Sequence, residues 1–394
     1  MTESRADDRG VPIRPETLSW AMRRAGAGEE TLAKALGIRR PDRVRAWLAG
    51  SARPTHAQTH KIARKLDVPF STLLTPPPSG EPELPLPDFR RGDTRRRPPS
   101  PELEAVILDA LRKRDWYREY RSDPNPRLRR YRDKAPDEAA TLVRSALELS
   151  SLRRKAKSWS DFRSRLRDAI EEKLDVLVLL NSIVGNDTHR PLDQNEFSGF
   201  ALADPIAPLI FVNTRGSVAR SIFTLAHELG HVVTGEDALD SDPLPDVDEE
   251  RERFSDRFAA ELLMPRSDFR SEWSQLTNFE PTQKCLKLAE KFRVSARATL
   301  VRARELGVID PQAFARARED ILLLEKKEED GQTGGGGDFR HLLDARNSKR
   351  FVKAVFEAAG TGDLTYTYAA RLLHLLPGAF AEMLHKRKSG SPLG

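Results

Sequence analysis

The stretch His227-Glu228-Leu229-Gly230-His231 follows the apolar run Ile222-Phe223-Thr224-Leu225-Ala226, and this constrains the chain most. On an α-helix, residues four apart stand one turn above each other on the same face. Both imidazoles then point at one spot and can pinch a single Zn²⁺. Glu228 lies one position on, about 100° around the helix, so its carboxylate reaches the water at the ion rather than the ion itself. Two ligands, a base and an open coordination position are what a hydrolytic zinc site requires. The pentapeptide also arises by chance, and histidines on a buried helix can be ordinary packed residues. Here the residues before it are apolar at helical spacing, and Gly235 stands where such a helix would end.

A third protein ligand is needed. Phe254, Phe258, Ala259, Leu262 and Leu263 make an apolar stripe at helical spacing, which predicts a second helix stopped at Pro265. Glu252, Ser255, Asp256 and Ala259 share another face of it. Glu252 is the expected third ligand, with Glu249 and Glu250 as alternatives. Asp256, one turn further on, is placed to hold the free ring nitrogen of His227 or His231. Asp248 and Glu249 also fit a solvated acidic helix start favoured by the helix dipole.

The segments Phe223–His231 and Glu252–Pro265 together resemble the ImmA/IrrE family of bacterial and phage metallopeptidases. Gly199–Asp204 and Pro208–Asn213 resemble the strand that precedes that family's catalytic helix. The resemblance covers roughly residues 175–270. It implies a zincin-like fold and a zinc-dependent, gluzincin-like endopeptidase. It further implies a protein substrate that is a DNA-binding repressor or an antitoxin, whose cleavage switches on a response. The family often has Ala-Asn where this chain has Ser255-Asp256.

With 394 residues the chain has room for two or three domains. Charged residues make up 32% and the mean hydropathy is −0.57, which predicts a soluble protein. No segment approaches the roughly 20 apolar residues of a membrane helix, and the polar stretch Met1–Asp8 does not read as a signal peptide. A lone cysteine, Cys285, fits no disulfide and no metal-spacing pattern, so a cytoplasmic location is expected. The net charge of +6 permits nucleic-acid contact without demanding it.

The expected fold is mainly α with a small β-sheet (α+β). Residues 1–75 form the expected N-terminal domain, in which residues 15–75 read as short helices with glycine turns at Gly37 and Gly50. Arg53-Pro54-Thr55 and Ile62–Val68 resemble the later part of XRE-type helix-turn-helix domains. If this region meets DNA, Arg39, Arg40, Arg43 and Arg45 are the residues near the groove. Glu29 and Glu30 stand where such domains often carry a phosphate-binding glutamine, and they would repel phosphate. Trp47 reads as core, and His56 with His60 as a surface pair.

Residues 76–100 form a Pro/Arg-rich linker and 101–270 the zincin-like metallopeptidase domain. Within the latter, residues 175–180 and 206–212 are the expected strands. A helical subdomain over 271–326, a Gly-rich spacer over 327–338 and a small helical appendage over 339–394 complete the organisation.

Three functions are compatible with these features. The first is a zinc endopeptidase that cleaves one repressor and so derepresses stress, phage-defence or mobile-element genes. The second is a DNA-binding regulator with a structural zinc and no proteolysis, against which the open three-ligand site and Glu228 argue. The third is an antitoxin whose peptidase-like body binds a partner.

Overall fold

A computed structural model describes residues 10–25, 27–38, 41–66, 68, 70–77, 99–235, 245–329 and 339–388. Contacts divide the chain into two compact units, Met1–Pro85 with Gly92–Ile107 and Leu86–Arg91 with Leu108–Gly394. The fold is mainly α with a small mixed β-sheet. Among the described residues no helix is long and apolar enough to cross a membrane.

The first unit holds α1 (Pro15–Arg24), α2 (Glu29–Ala35), α3 (Asp42–Leu48) and α4 (His56–Lys65), followed by a short 3₁₀ turn at Phe70–Leu74. Local chemistry sets these boundaries. Thr55 Oγ1 accepts from Gln58 N at 3.2 Å while Gln58 Oε1 accepts from Thr55 N at 2.9 Å, a reciprocal cap that starts α4. Gly37 and Gly50 take φ of +71° and +68° just after α2 and α3, a conformation that costs glycine little. Leu18, Leu32, Val44, Trp47, Ile62 and Leu73 close the core, with Trp47 fully inside it. His56 and His60 lie edge to face, and both rings pack against Phe70.

Helix α5 (Pro101–Arg121) carries the division between the units, which falls between Ile107 and Leu108. The second unit continues with α6 (Pro126–Arg129), α7 (Pro136–Ala146), α8 (Leu149–Lys155) and α9 (Trp159–Ala169). Five strands follow: β1 (Leu177–Asn181), β2 (Ile183–Val184), β3 (Asp187–Pro191), β4 (Gly199–Leu202) and β5 (Leu209–Asn213). The main sheet has the order β1-β5-β4, with β1 parallel and β4 antiparallel to β5, while β2 and β3 form a separate hairpin.

Both expected strands exist, displaced by one to three residues. Asp175 takes the left-handed conformation, and its carboxylate is held by Arg121 at 3.0 Å and Arg350 at 2.6 Å, so extension begins only at Leu177. Asp204 Oδ1 accepts from Ile206 N and Ala207 N, both at 2.8 Å, which curls the chain before Leu209.

After the sheet come α10 (Val218–Thr234) and α11 (Pro245–Leu263), then α12 (Arg266–Gln275), α13 (Pro281–Phe292), α14 (Ala296–Glu305) and α15 (Pro311–Glu329). The C-terminal helices are α16 (Phe339–Asn347), α17 (Lys349–Thr361), α18 (Tyr366–Leu372) and α19 (Pro377–Lys388). Helix α16 packs on β1, and Arg350 in α17 donates from its backbone N to Glu171 Oε2 at 3.0 Å, so these helices join the second unit. The main core runs from Val178, Leu180, Ile210 and Val212 of the sheet through Ile222, Leu225 and Leu229 of α10 to Phe258 and Leu262 of α11. Helix α10 is therefore sandwiched between sheet and α11. Of the expected linker, residues 78–98 lie outside the described residues, as do residues 330–338 of the expected spacer.

Candidate metal centre

Helix α10 starts where Ser217 Oγ accepts from Arg220 N at 3.2 Å and ends at Gly235, whose φ is +67°. Between these caps the helix buries most of its residues, so His227 and Glu228 sit in the interior at 4% and 7% exposure. The four-residue spacing brings His227 Nε2 within 3.1 Å of His231 Nε2.

Helix α11 supplies the third donor. Glu252 Oε2 lies 3.4 Å from His227 Nε2, and Glu252 Oε1 lies 3.5 Å from His231 Nε2. A tetrahedral ion with bonds of about 2.0–2.1 Å sets its donors roughly 3.3 Å apart. The two nitrogens and the carboxylate fit that geometry, and their donor set is the one found in hydrolytic zinc sites with two histidines and a glutamate. Among the described residues, these three form the one group of His, Cys, Asp or Glu side chains gathered closely enough to hold a metal. Glu250 is exposed and outside the group, and the side chain of Glu249 lies outside the described residues.

Asp256, one turn after Glu252, puts Oδ1 2.8 Å from His227 Nδ1. That leaves Nε2 facing the other donors and fixes the ring. Burial disfavours a charged His227, but hydrogen bonds to Asp256 and Glu252 and the nearby charge of Glu228 outweigh it and raise its pKa to about 9. Burial works in the opposite sense on Glu252, and hydrogen bonds from His227 and His231 hold its carboxyl well below the usual range. A cluster this rich in carboxylate favours positive charge at its centre.

Two glycines set the spacing, and neither was given a structural role by sequence reasoning. A Cβ on Gly230 would stand 2.9 Å from Ser255 Cα, so α10 and α11 touch backbone to backbone there. Ser255 is fully buried at this crossing, three residues after Glu252. A Cβ on Gly199, at the start of β4, would stand 3.2 Å from Glu228 Cγ and 2.7 Å from Phe211 O. Glycine at a strand end is the available signal for such a close approach.

The crossing makes Gly230→Ala informative. Alanine gains about 1 kcal/mol of helix propensity, but overpacking costs about 1–3 kcal/mol and pushes Glu252 away from the imidazoles. The expected result is weaker metal binding by calorimetric titration with a melting temperature no higher than wild type. Unchanged affinity would show that the contact does not set the spacing.

The proposed DNA-contacting residues lie apart from this centre in the chain. Arg43 and Arg45 are exposed on α3, while Arg39 and Arg40 lie outside the described residues. Arg45 Nε donates to Glu29 Oε2 at 2.6 Å and Arg45 Nη1 to Asp42 Oδ1 at 3.1 Å, so two carboxylates already occupy it.

Residues 171–304 match the peptidase family model described as the IrrE N-terminal-like domain. This region supports a metallopeptidase of the ImmA/IrrE type. The chain is also similar to the radiation response metalloprotease IrrE of Deinococcus deserti, with 32% identity over 139 residues. That alignment covers 34% of this chain and 46% of the relative, so the chain spans about half the length of the curated relative it matches. The matched region begins before β1 and ends in α14, and it contains every residue of the metal-ligand cluster. A metallopeptidase domain of this type implies a divalent metal, typically zinc.

Proposed function

We propose that the chain is a zinc-dependent endopeptidase that cleaves a DNA-binding repressor or antitoxin and so switches on a transcriptional programme. The observation that carries this reading is the meeting of His227, His231 and Glu252 donors beside Glu228. His227, His231 and Glu252 hold the ion, and Asp256 fixes the His227 ring through Nδ1. A Lewis-acidic zinc ion there would lower the pKa of water and polarise the scissile carbonyl. Glu228 accepts the proton of the attacking water and delivers it to the departing amine. The buried position of Glu228 against Gly199 keeps its carboxylate oriented.

In this reading the four-helix N-terminal unit is an XRE-type helix-turn-helix domain. Its DNA contacts come from Arg39, Arg40 and Arg43, with Arg45 braced by Glu29. The domain brings the peptidase to DNA-bound repressor, which places the chain in the cytoplasm. The relative's printed role in radiation response supports a stress programme as the output.

The test is direct. Zinc-loaded full-length protein is incubated with XRE-type repressors and antitoxins from the same organism, and products are read by intact-mass spectrometry. Cleavage gives two fragments whose masses sum to the intact repressor plus one water, and a chelator prevents it. Repressors that all stay whole, beside a confirmed zinc load, would remove the substrate assignment.

A further inference from the structure

A cleft of about 730 Å³ lies between α7, α8, α12 and α13, and no residue of the metal-ligand cluster lines it. This volume is in the range of small-molecule sites, roughly 300–1,000 Å³. Five cations line it: Arg144, Arg153, Arg154, Lys291 and Arg293. Only three carboxylates, those of Asp268, Glu272 and Glu290, stand against them.

Two of those carboxylates are already engaged. Arg144 Nη2 donates to Asp268 at 2.7 Å, and Lys291 pairs with Glu272. Arg154 and Arg293 form no ion pair among the described residues.

Arg153 is the most constrained of the group. Its guanidinium carbon lies 5.6 Å from the Phe162 ring and 5.3 Å from the Phe292 ring. Its Nη2 donates to Leu263 O at 2.7 Å, while its Nε is buried and makes no hydrogen bond. Burial lowers its pKa to about 10, and the charges of Arg144 and Arg293 push the same way, with Asp268 opposing. It stays charged at neutral pH, in a place where neighbouring cations repel it.

Arg293 follows α13 as its C-terminal cap, at φ +57°, and its side chain lines the same cleft.

We propose that this cleft binds a small phosphorylated molecule, with its phosphate held by Arg153, Arg154 and Arg293. A phosphomonoester carries about −1.5 to −2 charge at pH 7 and three acceptor oxygens, which matches the two surplus positive charges of the lining. Guanidinium forks suit phosphate oxygens, and the charge-assisted bonds are strong. The remaining volume takes the body of the molecule, against Phe292 and Ala156.

The test is calorimetric titration of the full chain at low ionic strength with AMP, inorganic phosphate and adenosine as probes. The comparison is with the double variant Arg154→Gln/Arg293→Gly. Glycine relaxes the left-handed backbone at 293, so the unliganded variant is expected to melt no lower than wild type. His227, His231 and Glu252 are unchanged in both proteins, so phosphate drawn to a metal there affects both titrations equally. The expected result is saturable one-to-one binding of AMP to wild type, no binding of adenosine, and AMP binding at least about tenfold weaker in the variant. Equal AMP affinity in both proteins, adenosine binding as well as AMP, or no saturable binding of either AMP or phosphate would each overturn the proposal.

Discussion

The Glu228→Gln protein is expected to load metal as wild type does and to cleave its protein substrate about 10²–10⁴ times more slowly, the scale of general acid–base catalysis. The substitution keeps the shape of the side chain and removes its ability to take a proton. The site shows why the two effects should separate. The proposed metal donors are His227, His231 and Glu252, while Glu228 lies on the same turn of α10 as the histidines, buried against Gly199. Metal content is read by elemental analysis and cleavage by the mass-spectrometric assay. A variant that loads zinc and cleaves at the wild-type rate would remove Glu228 from the chemistry.

Glu252→Gln should act at the other level. It removes the one anionic donor among the three and leaves two imidazoles and a neutral amide to hold the ion. Loss of a group behind a ligand typically costs 10–100-fold in metal affinity. Loss of the ligand's own charge is therefore expected to cost at least about 100-fold. Asp256→Asn gives the internal standard, since Asp256 is no member of the donor group and reaches it through His227 Nδ1 at 2.8 Å. The expected order of metal affinity is wild type, then Asp256→Asn, then Glu252→Gln, read by competition with a chromogenic chelator. If Glu252→Gln binds zinc as tightly as wild type, the third donor lies elsewhere.

The site was more legible in the chain than the sheet was. Spacing within a helix is a strong signal, because residues four apart must share a face. His227 and His231 therefore announce each other. Glu252 was reachable for the same reason, since the apolar stripe from Phe254 to Leu263 marks the segment as helical and so fixes which residues share the face of Glu252. The sheet gave weaker signals. Strand β4 is short and wholly buried, so it shows no alternation of polar and apolar residues. Strand β3 is mostly exposed, and its sequence Asp187–Pro191 carries no apolar run at all. Strand limits depended on Asp175 and Asp204, whose side chains bend the chain through long-range ion pairs and local hydrogen bonds. Arg121 and Arg350, which hold Asp175, are far from it in the chain, and no local pattern reveals them. The guanidinium cluster of the cleft was hidden for the same reason, because its members come from α7, α8 and the C-terminal cap of α13.

The division of the donor set between two helices has a consequence for the newborn chain. A polypeptide emerging from the ribosome displays both imidazoles and Glu228 before α11 has been made. At that stage it has no third donor in place, and its helices have not closed on Gly230 and Ser255. On the proposed function, hydrolytic capacity therefore arrives only with tertiary docking, and an unfinished or unfolded copy carries the motif without the threat of indiscriminate proteolysis.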